Sequence, residues 1–145
     1  MKSVRFIRSR SAWGALAVAA LLAACAAAVT TSKAMVTLSG NNEVPPVTTP
    51  AAGDAWFTVD PDWTVKGKVT TTGIAATAAH IHEARQGANG PVIIPLVRTG
   101  DNEWSVPPAT RLTEGQLKTY REGGMYVNVH SSAYPSGEIR GQLTP

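Results

Sequence analysis

From Met35 onward the chain alternates short apolar segments with turns rich in Gly, Pro and Asn, and this pattern limits what it can fold into. Residues 64–70 show the alternation clearly, because Val65, Gly67 and Val69 fall on one face of an extended segment and polar residues on the other. Several short strands separated by turns are typical of an all-β sandwich or barrel. About 110 residues of this kind are enough for one domain with one core.

The sequence predicts eight strands, from the alternation, and one helix, from a capping signal. The segments at 55–59 and 64–70 are expected to form a hairpin around Asp60-Pro61-Asp62, and the segment at 92–97 is expected to be one buried strand. The predicted strands cover residues 35–38, 55–59, 64–70, 79–83, 92–97, 103–106, 125–130 and 138–143. The helix is predicted over residues 113–122, because Thr113 and Gln116 have the spacing of a capping box.

The first 24 residues are different in kind and are predicted to be a signal peptide. Four basic residues lie within the first ten, and an apolar run of thirteen covers residues 12–24. That run is shorter than the roughly 20 residues that a membrane span needs, but it suits a secretory signal. It ends in Leu22-Ala23-Ala24-Cys25, which resembles the lipobox of bacterial lipoproteins.

Cys25 is therefore predicted to carry a lipid that holds the mature protein on a membrane surface of the cell envelope, on the outer membrane or facing the periplasm. In this scheme residues 1–24 are removed, residues 25–34 form a lipidated tether, and residues 35–145 form the domain. The alternative is ordinary cleavage after a small residue further on, which would release a soluble secreted protein.

Charge and cysteine content exclude several classes of protein. Of 13 basic residues four lie in the leader, so nine remain against 10 acidic ones, and nucleic-acid binding is not expected. The single cysteine excludes an internal disulfide framework. No nucleophile elbow, phosphate-binding glycine loop or marked pair of carboxylates is present, so the sequence favours a protein that is not an enzyme.

Five motifs resemble the CHRD domain, a domain named for chordin and also found in exported bacterial proteins. They lie at residues 38–47, 79–83, 87–92, 126–131 and 135–143, and the last reads Pro-Ser-Gly-Glu-Ile-Arg-Gly-Gln-Leu. The resemblance implies an immunoglobulin-like antiparallel β-sandwich, distantly similar to copper,zinc superoxide dismutase. It implies no established activity, so the interpretation is a binding or structural module whose protein partner the sequence does not name.

The chain has three histidines, and all of them fall within these motifs. His80 and His82 are two residues apart on a predicted strand, so their side chains leave the same face about 6.5–7 Å apart. On a later strand Asn128 and His130 share a face. If the two strands are neighbours, the three imidazoles form a cluster suited to copper or zinc. The alternative is a structural role, in which the histidines hold the loop at residues 86–90.

Superoxide dismutases also have a His-x-His pair on a strand, but this chain lacks a further histidine to bridge two metals, so dismutase activity is not expected. Asn128, Glu138 and Arg140 are the candidates for side chains that surround the ligands. Glu138 and Arg140 are predicted to lie on one solvated face of the last strand in a structural role, paired with one another or with a neighbouring strand. Alternatively, Arg140 is placed to attract an anion to the histidines.

Overall fold

A computed structural model describes residues 31–145, and the predicted leader, Cys25 and most of the tether lie outside the described residues. The described part contains nine strands, one short 3-10 turn and one α-helix. The strands are β1 (Ser32–Ser39), β2 (Ala52–Val59), β3 (Val65–Thr72), β4 (Ala76–Glu83), β5 (Val92–Pro95), β6 (Val97–Gly100), β7 (Glu103–Ser105), β8 (Met125–Ser131) and β9 (Ile139–Leu143). The 3-10 turn is Gly40–Asn42 and helix α1 is Glu114–Arg121.

The strands form one antiparallel sheet in the order β5-β4-β8-β9-β1-β2-β3-β7-β6. The sheet curls over so that residues from both of its halves pack into one apolar core. Phe57 and Val69 come from one half, and Ile81, Val127 and Ile139 from the other; each is at most 1% exposed. The predicted all-β antiparallel sandwich with one short helix is confirmed.

The predicted hairpin is confirmed, with β2 and β3 paired along their full length. The prediction of one buried strand over residues 92–97 is wrong. The chain divides at Leu96 into β5 and β6, which occupy opposite ends of the strand order, and Val92 and Val97 are exposed. The Leu96 amide donates to the carbonyl of Ala79 at 2.9 Å. The segment cannot be one strand, because at Leu96 the chain crosses from β5, at one edge of the curled sheet, to β6, at the other edge.

The predicted helix is also confirmed, including its start. The Thr113 hydroxyl accepts a hydrogen bond from the Gln116 amide, and the Gln116 side chain accepts one from the Thr113 amide. Leu117 and Tyr120 are buried against the core. None of the helices in the described part of the chain is long and apolar enough to cross a membrane.

The arrangement of β4, β8 and β9 places the predicted site residues on one surface. Across β4 and β8, His80 faces Asn128 and His82 faces Tyr126, while His130 faces Ala78. Because Ile81, Val127 and Val129 point into the core, these polar side chains point away from it. We call this surface the outer face of β4, β8 and β9.

Candidate metal centre

The structure brings the three histidines together on the outer face. The ring centroids of His80 and His130 are 4.8 Å apart, those of His80 and His82 are 5.8 Å apart, and those of His82 and His130 are 6.3 Å apart. One ring nitrogen from each lies within 4.8 Å of the others. The condition set for a cluster is therefore met, because β4 and β8 are neighbours and the three imidazoles lie together.

Two of the rings are fixed by backbone carbonyl groups. Nδ1 of His82 lies 2.9 Å from the carbonyl oxygen of Gly90, and Nδ1 of His130 lies 3.0 Å from that of Pro135. A carbonyl oxygen only accepts, so in both residues Nδ1 carries the proton and Nε2 keeps its lone pair. Metal-ligating histidines use the same kind of contact to fix the tautomer and orientation of the ring.

His80 contacts His130 directly. Nδ1 of His80 lies 2.9 Å from Nε2 of His130, and because that Nε2 is unprotonated, His80 is the donor. A metal ion would lie between His80 Nδ1 and His130 Nε2, in the place of the proton that His80 donates. His80 would then carry its proton on Nε2. Two nitrogens 2.9 Å apart, each ~2.0–2.1 Å from one ion, subtend an angle of about 90°, which is an acceptable coordination angle.

His82 contributes a nitrogen with no partner. Its side chain is only 8% exposed, and Nε2 makes no hydrogen bond. A buried polar atom left unpaired costs about 1–3 kcal/mol, so a bound ligand here would be favourable. Ligand nitrogens ~2.0–2.1 Å from one tetrahedral ion lie about 3.3–3.4 Å apart, so the widest separation in the cluster, up to 4.8 Å, exceeds this distance by about 1.4 Å. Side-chain rotations that together bring the nitrogens about 1.4 Å closer would close this difference.

The electrostatic surroundings of His80 and His130 favour their uncharged forms. Burial lowers the pKa of the His80 imidazole, and the neighbouring His130 and His82 lower it further. Burial also lowers the pKa of His130, although its hydrogen bond to Pro135 acts in the opposite direction. Both rings are thus neutral at pH 7, which is the protonation state that metal ligation requires.

Glu138 and Arg140 do not form the predicted solvated pair; both are buried, and that prediction is wrong. The Glu138 carboxylate accepts a hydrogen bond from the Thr49 hydroxyl at 2.6 Å. Arg140 donates to the carbonyl of Ala88 at 2.9 Å and to the Asn89 side chain at 3.1 Å. The loops that cover the outer face bury both residues, which strand alternation alone could not reveal.

Arg140 is also not placed to bring an anion to the histidines. Its guanidinium lies over the ring of Tyr126, 3.4 Å from the centroid, and Tyr126 stacks with His82 at 4.8 Å between centroids. Since β8 lies between β4 and β9, Tyr126 separates the arginine from the cluster. Arg140 instead holds the covering loop that presents Gly90 to His82, so it supports the cluster from a distance.

Comparison with known proteins gives a family for this arrangement. The model of the CHRD domain family matches residues 35–143, which is most of the chain. The chain belongs to the CHRD domain family. It is 29% identical over 129 residues to chordin from the zebrafish Danio rerio, an alignment that covers 74% of this chain and 12% of chordin. No solved structure gives a significant match.

Glu43 is a candidate functional residue of this CHRD domain that the sequence alone did not indicate. Glu43 is 6% exposed and lies beside Asn128, and its Oε1 has no hydrogen-bond partner. Burial raises the pKa of this carboxyl to about 7, although the charge of Arg140 and a hydrogen bond from Asn128 lower it. The only sequence signal was an acid within the first family motif, next to two prolines. Asn128 is itself 2% exposed, and its Oδ1 is also unpartnered.

Proposed function

We propose that this CHRD domain is an extracytoplasmic binding module that holds a copper or zinc ion on His80, His82 and His130. The observation that carries the proposal is the unpartnered Nε2 of His82, which is buried next to two other imidazoles. A purely structural histidine would have both nitrogens satisfied or exposed to water.

The chemistry of the donor set supports a transition metal over calcium or magnesium. The cluster contains three imidazoles and no carboxylate from the described residues. Imidazole nitrogen suits zinc and copper, whereas calcium and magnesium take oxygen ligands. Three protein ligands leave an open coordination position, and His80 and His130 are only partly buried.

The structural alternative is retained as a second candidate because two contacts favour it. The hydrogen bonds from His82 to Gly90 and from His130 to Pro135 hold two covering loops in place without any ion. These contacts alone would make the domain a rigid module that presents its loops to a partner. They account for both Nδ1 atoms, but they leave His82 Nε2 without a role.

We also propose that the domain is exported and anchored by a lipid on Cys25. The basic and apolar leader and the lipobox-like end support both parts of this proposal, whereas the family shared with chordin supports export alone. We propose a binding role and not a dismutase-type activity, because among residues 31–145 the metal-ligand group consists of His80, His82 and His130 alone. The domain is proposed to bind its metal ion while it is anchored at the surface of a membrane.

Isothermal titration of the full chain with Cu(II) and with Zn(II) tests the metal site. Wild type is expected to bind one ion, and His80→Ala and His82→Ala are each expected to weaken binding at least tenfold. Glu83→Gln is the matched control, because Glu83 follows His82 on the same strand but accepts its hydrogen bond from Thr119 on α1. Absence of binding by wild type, or equal binding by wild type and His82→Ala, would refute the proposal.

A further inference from the structure

The half of the sheet that does not carry the histidines has an exposed surface of its own, on strands β1, β2 and β3. Met35 is 65% exposed and Trp56 is 38% exposed, and the two are direct partners across β1 and β2. Their strand neighbours Ala34, Ala55 and Phe57 are buried, so Met35 and Trp56 point away from the core. The pairing of the two strands therefore places two large apolar side chains next to each other on the surface.

Lysine side chains and a proline-containing loop border this apolar pair. Lys68 is the partner of Trp56 across β2 and β3, and Lys33 and Lys66 lie in the next row of the same face. Trp56 also lines a cleft of about 410 Å³ that residues 105–109 help to form. Tryptophan and lysine both suit a boundary between lipid and water, because each has an apolar body and a polar end. We call this surface the β1–β3 face.

The charges of the β1–β3 face balance one another, so it is not a basic patch. Two of its lysines form ion pairs at 2.6 Å, Lys66 with Asp60 and Lys68 with Glu103. Asp54 is exposed on the same face and offsets the remaining lysine. A strongly acidic partner is therefore not favoured. A surface without net charge that offers apolar contact suits the face better, and a zwitterionic lipid bilayer has both properties.

The chain reaches the β1–β3 face from the side of the predicted lipid. Six residues, 26–31, separate Cys25 from Ser32, where β1 begins. Seven extended steps from Cys25 to Ser32 span at most about 25 Å. Met35 follows three residues later on β1, so a lipid on Cys25 would keep the apolar pair within reach of the bilayer. A short tether raises the effective concentration of the face at the membrane, so a contact made by two apolar side chains is sufficient.

The histidines lie on the opposite side of the molecule. Phe57 and Val65, from β2 and β3, line one small interior space together with Ile81 from β4 and Met125 from β8. The two halves of the sheet thus pack face to face through the core, and their outer surfaces point in opposite directions. When one of these surfaces lies on a membrane, the other is directed away from it.

We propose that the β1–β3 face lies on the membrane surface, with Met35 and Trp56 among the lipid headgroups and the three histidines directed away from the bilayer. Tryptophan is enriched at this level of a membrane because its ring is amphipathic. The inference rests on the lipid proposed for Cys25 and adds the orientation of the anchored domain. In this orientation the histidine cluster faces the aqueous side, where an ion can reach it.

Tryptophan fluorescence on phosphatidylcholine vesicles, brominated on the acyl chains close to the headgroup, tests this proposal. The protein is the processed chain, residues 25–145, which contains the whole of the described fold. Its only thiol, that of Cys25, is coupled to a maleimide lipid, so the attachment is present whether or not the cell lipidates this residue. A chelator keeps the histidines free of metal. The result therefore depends neither on natural lipidation nor on the metal site.

Bromine is expected to quench the wild-type fluorescence relative to vesicles without bromine, and Trp56→Phe is expected to lose this quenching. Phenylalanine keeps the apolar contact but removes the emitting ring that reaches the lipid. The other two tryptophans of the processed chain, Trp63 and Trp104, lie outside the β1–β3 face and serve as internal comparison. Quenching that persists in Trp56→Phe would overturn the proposal.

Met35→Gln should reduce the quenching at least twofold, because it removes one member of the apolar pair and leaves every tryptophan in place. Val92→Gln is the matched control, since Val92 is 44% exposed but lies on β5, in the half of the sheet that carries the histidines. It should be quenched as wild type is. The proposal also fails if wild type is not quenched or if Met35→Gln is quenched as strongly as wild type. Absence of quenching together with dimers in analytical ultracentrifugation would assign the face to a second copy of the chain instead.

Discussion

His80 donates a hydrogen bond from Nδ1 to Nε2 of His130, across two neighbouring strands, at 2.9 Å. The two residues are 50 positions apart in the chain, and the contact exists because β4 pairs with β8. The Pro135 carbonyl fixes the tautomer of His130, and through it the direction of the proton between the rings. The apo cluster is thus already ordered, and an ion would find two of its three ligands in contact with each other.

Arg140 is predicted to support the metal site although it does not touch it. Arg140→Met removes the hydrogen bonds to Ala88 and Asn89 and releases the loop that presents Gly90 to His82. Loss of such supporting contacts typically weakens metal binding by about 10–100-fold. The measurement is the zinc dissociation constant of the folded variant.

Arg98→Met is the control for this prediction. Arg98 also lies over an aromatic ring, that of Trp104 at 4.9 Å, and it donates to the carbonyl of Ala76 at the start of β4, whereas the loop that carries Gly90 follows the end of β4. Its removal is expected to lower the melting temperature without changing zinc affinity. Equal loss of affinity in both arginine variants would mean that stability, and not loop position, determines binding.

Glu43 is predicted to make the protein less stable as the pH rises. Its folded-state pKa of about 7 lies above the ordinary value of 4.5, so the folded state binds more protons than the unfolded state between these values. Stability is therefore highest below about pH 4.5 for this group and is lost as the pH rises through 7. Glu43→Gln should stabilise the protein by about 1–2 kcal/mol at pH 8, allowing for solvent screening, and by much less at pH 5.

Urea unfolding of wild type and Glu43→Gln at the two pH values gives this difference directly. Glu138→Gln is expected to show no corresponding gain at pH 8, because its carboxylate already accepts a hydrogen bond from Thr49. A Glu43→Gln gain that is the same at pH 5 and pH 8 would argue against a buried, titrating carboxyl.

Two glycines are predicted to respond in opposite directions to substitution by alanine. A Cβ at Gly67 would collide with the ring of Phe57 in the core, so Gly67→Ala should destabilise by about 2 kcal/mol or more. Gly115 lies in the first turn of α1, where the nearest atom to an added Cβ is 4.0 Å away. Gly115→Ala should stabilise by up to about 1 kcal/mol. Thermal unfolding of both variants tests this, and a stable Gly67→Ala protein would contradict the packing described for β2 and β3.

Cys25 is predicted to determine where the protein resides. Cys25→Ser should move the protein from the membrane fraction to the soluble extracytoplasmic fraction, because the sulfur that would receive the lipid is lost. Ser32→Ala is the control, since Ser32 also lies close to the leader but cannot be lipidated. Mass spectrometry of the wild-type N-terminus decides the point: an unmodified terminus downstream of Cys25 would exclude the anchor.

Local sequence was enough to predict most strands, because alternation fixes which side chains of β3, β4 and β8 face the core. It also predicted that His80 and His82 share a face. Whether His130 lies near His80 and His82 depends on which strands are neighbours. The alternation within a strand does not determine this, so the cluster could be predicted only on the condition that the two strands pair. The burial of Arg140 and the role of Glu43 could not be predicted, since loops far away in the chain cover both. The break at Leu96 was missed because a strand that changes sheet edge has the same apolar composition as a buried strand.

X-ray absorption spectroscopy of the metal-loaded full chain tests the central claim most directly, because it reports the ligands of the bound ion. For both copper and zinc, three imidazole nitrogens are expected at ~2.0–2.1 Å from the ion, and two are expected in His82→Ala. A first shell with fewer than three imidazoles in wild type, or one that His82→Ala leaves unchanged, would contradict a metal centre built by β4 and β8.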